Sequence, residues 1–303
     1  MAWYFFAFLA PALWAVSNHI DKYVLNRYLK NGSIGVVVIF GGIVGFIFSL
    51  LIFIFTPHRM LVLNPFYELV IIGNGILLIA AMIPYFYALA QEETSMVVPL
   101  YQTVPIFSFI LGFFILGETI SPVQISAGLL IIIGAVFISL DLENVKIKKR
   151  TLLLMLSSSF MVAVYVLVFK VVAVKENFWG SVFYEEIGVM LAGLFLFAFM
   201  KNYRNQFIII LKKNRVSVIS INGFNELVNI GAKLLVNYAS LLAPIALITV
   251  ANGLQPFFVF LYGIVLTLLF PSFAKETLEK KYIAQKLSAI AVMLLGTYLL
   301  IFA

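Results

Sequence analysis

Pro105-Ile106-Phe107-Ser108-Phe109-Ile110-Leu111-Gly112 returns about 151 residues later as Pro256-Phe257-Phe258-Val259-Phe260-Leu261-Tyr262-Gly263. Apolar helices match one another by chance, but a proline and a glycine at fixed spacing around two shared phenylalanines indicate an internal repeat. The same shift lays Tyr87-Ala88 on Tyr238-Ala239 and Asn74 on Asn225, and a slightly smaller one aligns Lys22 with Lys170. Two copies are therefore expected, 1–140 and 151–303, joined by a linker at 141–150.

Outward from that motif, long uncharged apolar stretches run through both copies. The chain has 303 residues, 63% hydrophobic and only 11% charged, where a soluble domain carries about 25% charged residues. So little charge cannot solvate a compact surface, and each stretch is close to the roughly 20 residues a helix needs to cross a bilayer. Spans are expected at 2–25, 34–55, 67–90, 94–116 and 122–140, then at 151–174, 182–200, 216–241, 244–270 and 282–302. That is an all-α membrane protein of about ten transmembrane helices. Because each copy has an odd number of spans, the second inserts upside down, producing two inverted five-helix repeats, an architecture of many secondary transporters.

The net charge of +7 does not point to nucleic acid, because the Lys and Arg lie in short loops and form no continuous face. The loops after spans one, five, seven and nine hold most of them, including Lys148, Arg150, Lys201, Arg204, Lys212, Lys213, Lys280 and Lys281. The positive-inside bias puts these loops in the cytoplasm and both termini outside an inner (plasma) membrane, with Arg59, Lys170 and Lys175 as exceptions. The segment 207–211, between basic clusters, is expected at the membrane interface. The apolar N-terminus lacks a basic leading region and reads as a retained first span. Cysteine is absent, which removes disulfides, thiolate metal sites and cysteine nucleophiles.

Tyr87-Ala88 closing the third span, a Pro-containing fourth span ending on Leu116-Gly117-Glu118, and a fifth reading Gln124-Ile125-Ser126-Ala127-Gly128 to Gly134 resemble the EamA-type domain of the drug/metabolite transporter superfamily. The resemblance extends over both halves and is clearer in the first; the second replaces Leu-Gly-Glu with the run from Phe270 and Pro271 to Lys275 and Glu276. It implies transport of a small metabolite, with spans one to four and six to nine around a central cavity and spans five and ten peripheral.

The eighth span carries Asn222, Glu226, Asn229, Lys233 and Asn237 at spacings of three and four, hence on one helical face. Charges near a bilayer centre cost about 2.5–3.5 kcal/mol on insertion scales, so the stripe faces a cavity or another helix. Either Glu226 and Lys233 form an ion-pair network bridged by Asn229, or a ligand bridges them. Seven residues at about 1.5 Å rise separate them by roughly 10 Å, which favours the ligand. Tyr184, Glu185 and Glu186, at the start of the seventh span, read as a solvated helix N-terminus near the outer surface or as a gate. Lys22 and Lys170 read as snorkelling side chains or as paired gates. His19 and Asp21 beside Lys22 read as a hydrogen-bonded interface.

Tyr101, Gln102 and Pro105 align with Asn252, Gly253 and Pro256, next to Gln255. A proline in a membrane helix frees a carbonyl that must be satisfied elsewhere, which makes Pro105 and Pro256 candidate hinges. Trp14, Tyr85, Tyr87 and Tyr165 are candidate cavity aromatics. Gly41, Gly42, Gly45, Gly188 and Gly193 permit close helix packing. The expected activity is secondary transport, export or exchange, of a small polar or amphipathic metabolite by alternating access; the alternative is a flippase for a lipid-linked head group. No phosphate-cradling loop or hydrolase motif occurs, so no enzyme activity, cofactor or metal is expected. The expected partners are the substrate, the lipid bilayer and protons or another coupling ion, but no nucleic acid, for a monomer or homodimer.

Overall fold

The computed structural model describes residues 2–27, 34–92, 97–138, 149–270 and 280–302. Most of the expected linker at 141–150 and the run 271–279 lie outside the described residues. The described chain is helical and contains no strand. Its helices are α1 (Ala2–Arg27), α2 (Ile34–Phe55), α3 (Pro65–Gln91), α4 (Val104–Leu111), α5 (Pro122–Ile138) and α6 (Lys149–Lys175). They continue as α7 (Phe178–Phe199), α8 (Lys201–Leu242), α9 (Ile245–Ala251), α10 (Gln255–Leu269) and α11 (Lys280–Phe302).

Six stretches have both the length and the apolarity to cross a bilayer: α2, α3, α6, α7, Ile245–Leu269 and Lys280–Leu300. Leu100–Leu116 and Pro122–Gly134 are apolar but shorter. Helices α1 and α8 have the length, but both carry polar side chains into the body of the protein. Phe55, Phe114 and Phe199 are each at least 74% exposed. Apolar surface of that extent is stable against hydrocarbon and not against water, so the molecule is an integral, multi-pass membrane protein.

Local chemistry explains where the helices start and stop. The Asn64 side chain caps α3, accepting the Phe66 amide at 3.0 Å, with Pro65 in the first turn where its missing N–H costs nothing. Asn177 caps α7 in the same way, accepting the Gly180 amide at 2.8 Å. The fourth span is irregular: a 3-10 segment, Val98–Thr103, precedes α4, a wide π turn, Gly112–Leu116, follows it, and Gly117 at φ 64° ends it. A second 3-10 segment, Asn252–Leu254, separates α9 from α10. Each 3-10 segment lies just ahead of a proline, Pro105 or Pro256. Segment 201–215, expected as an interfacial element distinct from the eighth span, is instead continuous with it. Neither Gly nor Pro occurs between Lys201 and Asn222, so nothing in the chain ends the helix there.

The packing brings distant parts of the chain together. Helix α1 lies against α8 and α10, α6 against α3 and α4, α5 against α11, and α7 against α2 and α3. The α7 contacts are backbone-close: a methyl on Gly42 would sit 2.7 Å from the Gly193 Cα, and one on Gly75 would collide with the Glu185 carbonyl. Glycine at these points lets α7 press inward, which sets the depth of its acidic residues.

Candidate functional site

A cavity of about 220 Å³ lies within the bundle. Its lining comes from α1, α2, α3, the segment before α4, α6, α7, α8 and the α9–α10 break; among the described residues α5 and α11 contribute none. Of the residues singled out in the sequence, Trp14, Tyr101, Gln102, Tyr165, Glu186, Glu226, Asn229, Lys233, Asn237, Asn252 and Gln255 face it. Tyr85 faces it too, whereas Tyr87 turns away, with its hydroxyl 3.1 Å from that of Tyr203.

Lys233 is the positive centre of the site. It donates to Glu186 Oε1, and its Nζ lies 3.3 Å from Glu185 Oε1. It does not contact Glu226, and Asn229 does not bridge the two, so the ion-pair network expected within α8 is replaced by one between α8 and α7. The expectation that Glu185 and Glu186 lie near the outer surface is corrected: they are 0% and 1% exposed. The reason is the Asn177 cap, which starts α7 at Phe178 and leaves Glu186 eight residues, about 12 Å, inside the helix. The Tyr165 hydroxyl donates to Glu185 at 3.1 Å and receives the Asn237 amide at 3.2 Å, so α6, α7 and α8 share one polar network.

Glu226 lies two turns earlier on α8, on the α2 side, where a methyl on Gly41 would be 3.6 Å from its Oε1. Asn222 does not join the site; its amide donates to Val218 O of its own helix at 2.8 Å. At the end nearer α10, Gln255 donates to Asn18 at 2.6 Å and Asn18 donates to the Tyr85 hydroxyl at 2.8 Å. Tyr101 meets Ser158 at 3.1 Å, and Ser158 donates to Ala81 O.

Asp21 and Asn18 are site residues that sequence reasoning did not select. Asp21 is 5% exposed, lines the cavity and accepts the Asn225 amide at 2.6 Å. Its neighbour His19 turns the other way, its Nε2 2.9 Å from Val259 O. The available clue was spacing: Trp14, Asn18 and Asp21 recur at four and three residues and share a helical face.

Pro105, Pro256, Lys22 and Lys170 lie outside the lining. Both lysines bind helix ends. Lys22 donates to Leu89 O at 3.0 Å and Glu92 O at 2.8 Å, at the close of α3. Lys170 donates to Ala243 O at 2.7 Å, at the close of α8, and pairs with Glu118 at 2.6 Å. Glu118 also accepts the Ile245 amide at 2.9 Å and so fixes the start of α9. Cations at these C-terminal carbonyls are favoured by the helix dipole.

A solved structure described only as a crystal structure of a protein resembles this chain at a TM-score of 0.67 and 14% identity, over 99% of this chain and 95% of the other. At that identity the likeness is one of fold. No curated protein matches the sequence. The model of the EamA-like transporter family matches residues 1–140. Over those residues, a little under half of its length, the chain is similar to the EamA-like transporter family.

Proposed function

We propose that the chain is a secondary transporter of a small metabolite, working by alternating access. In this reading ten spanning helices form two inverted five-helix repeats, 1–140 and 151–303, in an inner (plasma) membrane with both termini outside. The observation that carries the reading is the cavity itself: it is charged, enclosed by apolar helices and walled by both halves. Ionisable groups at that depth are costly and mark substrate or ion pathways.

Several contacts support the inverted repeat. Asn74 of α3 donates to Tyr165 O of α6 at 3.1 Å, and its counterpart Asn225 of α8 donates to Asp21 of α1. Lys22 of α1 binds the carbonyl of Glu92, and Lys170 of α6 that of Ala243, two positions again about 151 residues apart. The two asparagine contacts join the third element of one half to the first of the other, and the two lysine contacts join the first and third elements within each half, so both kinds occur once per copy. The irregular backbone before Pro105 and Pro256 supplies a flex point in each half. Lys22 and Lys170 then act as latches on helix ends, Glu185 and Glu186 hold Lys233, and a proton or ion gradient or exchange drives export.

The test is a thermal-stability screen of the purified protein against amino acids, nucleosides, sugar phosphates, polyamines and lipophilic cations, followed by flux in proteoliposomes. A ligand at about 100 times its Kd raises stability by about 2.7 kcal/mol. One soluble class that stabilises the protein and crosses the membrane is the expected result. Stabilisation by lipid-linked head groups alone moves the assignment to a flippase.

A further inference from the structure

Resting on the transporter reading, we propose that the cavity selects a compact organic cation with an apolar body and N–H donors, held by Glu226 and Asp21 and not by Lys233. Charge balance is the first ground. Asp21, Glu186 and Glu226 line the cavity and Glu185 stands directly behind, against one amine, Lys233; the lining contains no Arg, no His and no second Lys. That amine is already committed to Glu186 and Glu185. Asp21 accepts one amide, and Glu226 has neither a hydrogen bond nor an ion pair among the described residues. A carboxylate held away from water needs a counter-charge, and the protein supplies none at this end of the cavity.

Hydrogen-bonding capacity is the second and independent ground. Gln102 Oε1 and Asn252 Oδ1, on two lining amides, are buried and accept nothing; Gln102 is only 3% exposed. Buried acceptors without donors ask for a ligand that donates. An ammonium or guanidinium offers both the charge and the N–H groups. An anion meets four carboxyls, and a zwitterion finds the one lysine occupied.

The rest of the cavity describes the ligand's body. The lining residues of α3 are Leu78, Ile79, Met82, Tyr85 and Phe86, and α1 adds Trp14. Such a wall buries an apolar or aromatic group, and its rings favour a cation over their faces. A volume of about 220 Å³ is below the roughly 300–1,000 Å³ of drug-sized pockets, so the body is small.

The experiment compares four probes with one carbon frame in calorimetric titrations of the full-length protein: 2-phenylethylamine (cation), 2-phenylethanol (neutral), 3-phenylpropanoate (anion) and phenylalanine (zwitterion). The amine is expected to bind at least tenfold more tightly than the alcohol, with the propanoate weakest. Glu226→Gln and Asp21→Asn each weaken the amine tenfold or more and leave the alcohol within about twofold, which also reports that the variants are folded. Equal or tighter binding of phenylalanine or 3-phenylpropanoate overturns the assignment. So does an equal loss of amine and alcohol in both variants, or binding of none of the four. Flux of labelled amine separates the two readings. Binding without flux keeps the cation site and removes the transporter, whereas flux of another class without amine binding does the reverse.

Discussion

Helices α3 and α8 both line the cavity and are related by the 151-residue shift, yet three matched lining positions have opposite chemistry. Leu78, Met82 and Phe86 of α3 stand where α8 carries Asn229, Lys233 and Asn237, and all six line the cavity. The position of Glu226 on α8 is Gly75 on α3, where the α7 backbone presses in. The frame is shared: both helices end under a lysine from the first helix of their own half, and both carry a buried asparagine, Asn74 or Asn225, that reaches a helix of the other half. In the proposed repeat, the shared contacts belong to the scaffold and the difference between the two faces gives the site its polarity. One wall is free to bury an apolar body while the other handles charge.

Substitutions can break this contrast, and the largest effect is expected at its centre. Lys233→Met removes the amine that, among the described residues, alone pairs with Glu185 and Glu186, which are fully buried; stranding such charges costs about 3–5 kcal/mol. Met82→Ala, at the equivalent site on the apolar wall, loses only part of a half-buried side chain, about 1 kcal/mol. Thermal melting in detergent should rank the two in that order, and adding Glu186→Gln to Lys233→Met should recover part of the loss. A smaller difference is expected between the two asparagines. Asn225→Leu forfeits a bond to a carboxylate, about 1.5–3 kcal/mol, and Asn74→Leu one to a carbonyl, about 0.5–1.5 kcal/mol. Equal losses would make Asp21 no more than another neutral acceptor. The smallest effect belongs to Asn222→Ala. Its amide serves only its own helix, so stability should fall by at most about 1 kcal/mol and the response to ligand should not change.

Much of this was legible in the residues alone. Composition and span length announce a membrane helix bundle, and the Pro–Gly motif announces the repeat before any geometry is known. The stripe on α8 follows from spacings of three and four, because a charged face in hydrocarbon has nowhere to turn but inward. What stayed hidden is what depends on depth and on contacts distant in sequence. Glu185 and Glu186 looked superficial because the start of α7 rests on one side chain, Asn177, and an error of four residues moves a carboxylate by about 6 Å along the axis. Asp21 lay beside a histidine and a lysine that face elsewhere, and the partnership of Lys170 with Glu118 joins residues from different halves. Nor did periodicity reveal that α8 runs unbroken through its basic first turns.

That unbroken run gives α8 the mechanics of a pointer. Its 42 residues at about 1.5 Å each make a rod of roughly 63 Å, about twice the hydrocarbon thickness. Lys201 stands at one end with the other basic residues of the surface segment; Lys233 lies about 48 Å further along. A swing of about 5° about Lys201 therefore carries the lysine through roughly 4 Å at that length, enough to trade one set of carboxylate neighbours for another. A small tilt of α8 at its Lys201 end would thereby be magnified where Lys233 sits.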